Sequence, residues 1–398
     1  MDFEWTALLA EQRVQALLKE ALATEMELLP LSAKLAKTYA PAERAAIMDY
    51  YALLPRIFEK FGTDKFLLCD RLALEQSTAK DIAEWKARLF PGNCSVNDLC
   101  CGMGGDTFAL PGTVEVKGAD LSAARRAMYA YNTAALGLPR EAVDADARTL
   151  DNGADFFEID PARRGSEGDN QRDYNNMTPA FAEILALAEH YHGGMVKLPP
   201  GYPESEFPEN AEAVYIGNRR DCRECLLLLG SLAKRPGRAR AVILNDGKIQ
   251  EWAPDSARGK LAEDLPERPL GRYLAEPLPA LVRSHVFTET GRKKDCGILS
   301  PGIAYLTSDS PLQDPGFLEF EVLDSSPLGS SAVRAMLKKH DIGRITLKKR
   351  GVEIIPEKEI KRLDPRGSRE AILFYTRIRG EKAAILALPL HTNSKAEK

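Results

Sequence analysis

The sequence predicts an α/β protein with a doubly wound, mainly parallel sheet set between an N-terminal helical region and a small C-terminal α+β part. Three observations predict it. Between residues 93 and 270, short apolar runs of strand length alternate with helical stretches, which requires crossover connections. Before them, apolar residues recur at helical spacing and strand-like runs are scarce. Past Gly271, prolines punctuate a new series of strand candidates. A chain of 398 residues has room for two or three compact domains.

In the first region, Leu8, Leu9, Val14, Leu17, Leu18 and Leu22 give helical periodicity. A further helix is expected after Ser77-Thr78, whose hydroxyls can cap it, through Ile82, Trp85 and Leu89. Pro91-Gly92-Asn93 then breaks the chain. Strands are expected at 95–99, 114–120, 142–146, 155–160, 195–198, 213–216 and 239–244, with helices at 123–136, 179–190 and 222–232. Further strands are expected at 303–306, 317–323, 344–348, 371–377 and 384–388. A helix presenting Val333, Met336 and Leu337 lies among them. The expected domains are 1–92 (helical), 93–270 (doubly wound), 271–324 (a small ferredoxin-like α+β module) and 325–398 (basic, α+β).

Charge is unevenly spread. From Ser331 onward there are 17 Lys+Arg against 8 Asp+Glu, a balance of +9, so the remainder carries −13 of the net −4. A basic end on an acidic body points to an anionic partner, nucleic acid being the common case; a solvated charged surface is the plainer alternative. No apolar run approaches the roughly 20 residues that span a bilayer. The acidic start Met1–Trp5 lacks the features of a signal peptide, so a cytoplasmic location is expected. Seven scattered cysteines argue against a disulfide framework. Cys222 and Cys225 form one CxxC without a second pair, which reads as helix packing, and no metal is expected.

The run Asp98-Leu99-Cys100-Cys101-Gly102-Met103-Gly104-Gly105-Asp106 follows a strand and opens a helix. Its glycines let the backbone turn tightly and approach a ligand. The spacing is not GxGxxG and no Walker lysine follows, so a phosphate cradle is disfavoured. Successive strands end at Asp120, at Asp144-Ala145-Asp146-Ala147 and at Asp160-Pro161-Ala162-Arg163-Arg164. Ligands of such sheets bind beyond the carboxyl ends of the strands, where Asp120 can accept from ribose hydroxyls and Asp146 from an adenine amino group. Each acid alone would pass as a loop cap or a solvated strand end.

These residues resemble class I S-adenosylmethionine-dependent methyltransferases. Asp98–Asp106 looks like motif I and Asp120 like the motif II acid. Asp160-Pro161-Ala162-Arg163 is similar to the Asp-Pro-Pro-(Tyr/Arg) motif IV of enzymes that methylate nucleic-acid bases. More narrowly, four landmarks resemble the bacterial methyltransferases with a THUMP-like C-terminal domain: Glu75-Gln76, the motif IV segment, Val196–Gly201 and Leu347–Val352. The resemblance implies a Rossmann-like seven-stranded domain and S-adenosylmethionine held by Ser77, Thr78, Asp98, Cys100, Gly102, Gly104, Asp106, Asp120, Leu121, Asp146 and Ala147. For Ser77 and Thr78, helix capping is an equal alternative.

Methyl transfer from a sulfonium needs a positioned acceptor and stabilised charge. Asp160 and the backbone at Pro161 suit an exocyclic amine, which needs no strong base. Arg163 stands where an aromatic would stack on the base. Asp-Pro-x-Arg also resembles uracil-carbon methylases, but their cysteine nucleophile has no evident counterpart beyond Cys222 or Cys225. Arg163 and Arg164 either grip a substrate phosphate or pair with surface acids. Lys197 either faces the substrate or is a solvated edge charge. Lys348, Lys349 and Arg350, with Arg344, Lys361 and Arg362, are candidates for phosphate contacts. The expected substrate is RNA such as tRNA or rRNA. A small-molecule or protein methyltransferase, and a non-catalytic RNA-binding adaptor of the same fold, remain alternatives.

Overall fold

The computed structural model describes residues 3–150, 153–163 and 177–390. Six helices come first: α1 (Phe3–Ala10), α2 (Gln12–Ala23), α3 (Leu28–Leu35), α4 (Pro41–Phe61), α5 (Arg71–Gln76) and α6 (Lys80–Ala87). Val14, Leu18, Leu31, Leu35, Ile47 and Leu54 recur at helical spacing and are fully buried. Met103 of the glycine loop and Met128 belong to the same cluster, so the helical region packs onto that loop. The expected cap at Ser77-Thr78 is not formed. Ala79 is the N-cap of α6 and makes no side-chain cap bond. Ser77 instead ends α5, and the Thr78 hydroxyl donates to Asp106 at 2.8 Å. A carboxylate is the stronger acceptor partner, and it wins over local capping.

The first sheet comprises β1 (Ser95–Leu99), β2 (Glu115–Ala119), β3 (Ala142–Val143), β4 (Phe156–Ile159), β5 (Gly193–Leu198), β6 (Glu212–Gly217), β7 (Cys222–Gly230), β8 (Ala239–Asn245) and β9 (Lys248–Trp252). Neighbours run β7-β5-β4-β1-β2-β3 and β9-β8-β6. The β3-β2-β1-β4-β5 run is parallel, with α7 (Ala123–Ala135) after β2 and α8 (Phe181–Ala188) before β5. The order reverses between β1 and β4. That switch point puts the loops after β1 and β4 side by side.

Two strands exceed the expected seven, and one replaces an expected helix. Residues 222–230 form β7, antiparallel to β5, where a helix over 222–232 was expected. Four consecutive leucines suit a helix intrinsically, but here Glu224–Leu229 are all buried, which is the pattern of a central strand. Gly193 and Gly230 permit the pairing: a Cβ on Gly193 would lie 2.7 Å from the Leu229 carbonyl oxygen. Cys222 and Cys225, an odd number of residues apart on a strand, point to opposite faces.

The chain separates into two compact units, Met1–Glu212 with Cys225–Pro236, and Ala213–Glu224 with Gly237–Lys398. The second contains a seven-stranded sheet of β10 (Tyr273–Pro277), β11 (Gly297–Ile298), β12 (Leu306–Ser308), β13 (Phe317–Pro327), β14 (Ile342–Lys349), β15 (Arg369–Ile378) and β16 (Glu381–Pro389). Its order is β11-β12-β10-β13-β16-β15-β14. Strands from both sides of residue 325 thus share one sheet. The helices Ser330–Lys339 and Pro356–Leu363 pack on it, the first through Val333, Met336 and Leu337 as expected. Among the described residues, no helix is long and apolar enough to cross a membrane.

Asn132 ties the helical region to the glycine loop. Fully buried on α7, it accepts from the Leu68 amide at 2.6 Å and donates to the carbonyls of Leu68 (3.0 Å) and Met103 (3.1 Å). Asn132→Ala leaves these buried backbone groups unpaired and is expected to lower stability by about 1–3 kcal/mol, read from the urea midpoint at constant slope.

Candidate cofactor and acceptor site

The glycine loop leaves β1 by a sharp left-handed turn: Cys100, Gly102 and Gly104 have φ of 60°, 55° and 99°. A Cβ on Gly102 would meet nothing within 4 Å, so this turn borders open space. At Gly105 the loop instead runs against the chain before α6, where a Cβ would lie 3.1 Å from both the Ser77 Cβ and the Thr78 nitrogen. The sequence thus brings Ser77-Thr78 and the glycine loop together, as the cofactor reading requires of them.

Asp120, just past β2, accepts from the Gly102 amide at 3.1 Å and from the Ser122 amide at 2.8 Å. Its carboxylate is fixed at the mouth of the loop. Leu121, beside it, is 66% exposed, a bare apolar side chain of the kind a flat ring system would cover. Ala147 is buried. Asp146 is held by Arg148, which donates from its amide (2.9 Å) and Nε (2.9 Å), and these bonds hold the Asp146 carboxyl down at about 2. Burial pushes the Cys100 thiol up to about 12. Cys222 is pushed up to about 12 for the same reason, which removes the thiolate a nucleophile needs.

Asp160 follows β4 and Pro161 is buried behind it. Lys197 of β5 is not a solvated edge charge. Its Nζ lies 2.6 Å from Asp160 Oδ2 and donates to the Thr78 hydroxyl (3.2 Å) and the Gln76 carbonyl (3.3 Å). Thr78 in turn donates to Asp106, whose other oxygen receives the Lys86 ammonium at 2.6 Å. The chain Lys86–Asp106–Thr78–Lys197–Asp160 therefore joins the glycine loop to motif IV. Lys86 and Glu158, which lies 3.9 Å from it, were not among the residues singled out in the sequence. Asp98 is 5% exposed and accepts from the Thr107 hydroxyl. Arg163 belongs to a two-residue ladder with Met177, and Arg164 lies outside the described residues.

The basic run at the end of β14 is engaged within its own unit. Lys348 pairs with Glu276, Lys349 donates to the Ile354 carbonyl at 2.6 Å, and Arg350 donates to the Ala304 carbonyl at 2.6 Å while lying over the Tyr305 ring.

The first unit's residues fit a cationic nucleoside. A left-handed glycine turn faces open space, a fixed carboxylate and an exposed leucine flank it, and acids outnumber the lysines beneath it. Among the described residues, no group of three His, Cys, Asp or Glu is arranged to hold a metal ion.

Residues 319–389 match the family described as THUMP domain-like. Over 324 residues the chain is 32% identical to two S-adenosylmethionine-dependent methyltransferases of Mycobacterium tuberculosis, from strains CDC 1551 and H37Rv, both described as uncharacterized. Those matches cover 80% of this chain and 86% of each relative. A crystal structure described as that of a methyltransferase from Porphyromonas gingivalis W83 shares the fold, with a TM-score of 0.74 at 18% identity, covering 95% of this chain and 98% of that one. With its Rossmann-like class I fold, its glycine loop and relatives of this identity and coverage, the chain belongs to the S-adenosylmethionine-dependent methyltransferases.

Proposed function

We propose that the protein methylates a base in RNA, of the tRNA or rRNA class, at an exocyclic amino nitrogen. The observation that carries this is the position of Asp160. It stands at the carboxyl end of β4, backed by a buried proline and bonded through Lys197 and Thr78 to the acid of the glycine loop. An acceptor held by Asp160 is therefore held in register with the cofactor loop.

S-adenosylmethionine supplies an electrophilic methyl group when bound. In this reading the Gly102 turn, Asp120 and Leu121 hold its nucleoside part, and Asp98 and Asp106 face its cationic end. Lys197 occupies one oxygen of Asp160, and a carboxylate has further lone pairs to accept an N–H of the target amine. That bond aims the nitrogen lone pair, and the Asp160 carboxylate accepts the proton that the nitrogen loses as positive charge develops on it. The +9 balance after Ser331 and the THUMP domain-like match support RNA as the carrier of that base. Lys361 is exposed and suited to phosphates; Arg344 and Arg362 are exposed too, with guanidinium donors to spare beyond their pairs with Glu370 and Glu359, whereas Lys348, Lys349 and Arg350 serve mainly to hold the fold.

Asp120→Ala removes a charged acceptor and is expected to weaken S-adenosylmethionine binding roughly tenfold or more in calorimetric titration. Asp160→Asn is expected to lower methyl transfer to total RNA about a hundredfold or more while cofactor affinity changes little. RNA affinity is expected to fall at least about tenfold between roughly 50 and 200 mM salt. Methyl transfer to metabolites but not to RNA, with salt-independent or absent RNA binding, would contradict the RNA assignment.

A further inference from the structure

Asp98 of β1 and Glu158 of β4 are direct register partners in a parallel pair, so their side chains leave the sheet on the same face. Glu158 is 4% exposed, as buried as Asp98. Asp106 joins them through Lys86, whose ammonium lies 2.6 Å from Asp106 and 3.9 Å from Glu158 and is itself 3% exposed. The far neighbour of Glu158 on β5 is the apolar Met195. Among the described residues, Glu158 Oε1 has no hydrogen-bond partner. The far neighbour of Asp98 on β2 is Gly118, and the space there is filled by the Tyr129 ring. The Tyr129 hydroxyl is 3.2 Å from Thr107 Oγ1, which donates to Asp98. Arg140 approaches from beyond, donating to the Thr107 and Leu110 carbonyls. Lys197, the next cation, is committed to Asp160.

We propose that Lys86 and Glu158 are positioning residues of the cofactor site, and that the crowded Asp98–Glu158 pair keeps one proton until a cationic cofactor displaces it to solvent. Three buried carboxylates around one ammonium cannot all remain charged, because each uncompensated buried charge is costly. Burial, then Asp98 and Asp106, raise the Glu158 carboxyl well above its usual range. Burial pushes Asp98 up to about 7, against the Thr107 hydrogen bond. Burial works the same way on Asp106, but Lys86 and Lys197 overcome it and hold that carboxyl low. The proton therefore belongs to the first pair, where it titrates as a unit. A sulfonium and an ammonium placed nearby favour the ionised form, so binding lowers the pair's proton affinity and one proton passes to the buffer. By the same linkage, cofactor affinity rises with pH through neutrality. The inference rests on the cofactor assignment and is independent of the RNA reading.

Calorimetric titration near neutral pH in two buffers of different ionisation enthalpy tests it. Wild-type protein is expected to release up to about one proton per S-adenosylmethionine bound, and less with S-adenosylhomocysteine, whose sulfide carries no charge. Glu158→Gln, still binding cofactor, is expected to lose about half or more of that release. Lys86→Met is expected to weaken binding at neutral pH, with Lys86→Arg restoring it. An infrared difference spectrum of the wild type should show loss of a protonated-carboxyl band on adding S-adenosylmethionine, a readout that does not require the variants to fold. Buffer-independent binding heat, or an unchanged carboxyl band, overturns the proposal and leaves the methyltransferase assignment standing. Absence of S-adenosylmethionine binding would overturn both.

Discussion

The Lys86 ammonium, buried against Asp106 and within reach of Glu158, is the interaction on which the site's construction depends. A lysine this deep survives only because carboxylates surround it, and those carboxylates could not be buried together without it. Lys86 sits on α6, outside the sheet, while Asp106 closes the glycine loop and Glu158 lies on β4. One side chain therefore fastens the helical region, the loop and the sheet to each other. From Asp106 the polar chain continues through Thr78 and Lys197 to Asp160, so the groups suited to the cofactor and to the acceptor are set by one connected arrangement. The N-terminal helices are part of the site and not a separate appendage, as Asn132 shows again by bonding both Leu68 and Met103.

Much of the first sheet was legible because parallel strands buried on both faces read as short apolar runs between helices. β1 appears at its expected residues, and β2, β4, β5, β6 and β8 within a residue or two at most ends. The failure at β7 has a physical reason. Cys222–Gly230 carries no alternation, since Glu224–Leu229 are buried without a break, and its leucines favour a helix when taken alone. Only its partner β5, and the glycines that let the two backbones close, turn the segment into a strand. β10 was missed because its apolar run is only three residues long, and Pro277 and Pro279 advertise a break more loudly than Tyr273–Pro277 advertises a strand.

The residues proposed to hold the cofactor stand out in the sequence because they lie in loops, at glycines and strand-end acids, with no packing role to disguise them. Lys86 was invisible because a lysine on an amphipathic helix ordinarily faces solvent, and nothing local distinguishes it from Lys80, which does. Glu158 did leave a signal. A carboxylate inside Phe156-Phe157-Glu158-Ile159, a strand buried throughout, violates the rule that buried charge must be paired, and that anomaly could have pointed to the cluster. The Lys348-Lys349-Arg350 run was conspicuous in sequence, yet Glu276 and nearby carbonyls take up its donors. Density of charge along the chain does not report whether that charge is free.

In the proposed site, the Gly102 turn and the acids beyond neighbouring strands converge on one sulfonium nucleoside. A crystal structure of the protein with S-adenosylhomocysteine tests it most directly. The ribose hydroxyls are expected on Asp120, the ring system against Leu121 and the amino-acid end between the glycine loop and Ser77-Thr78. A nucleoside bound elsewhere, with Asp120 still turned only toward Gly102 and Ser122, would contradict it.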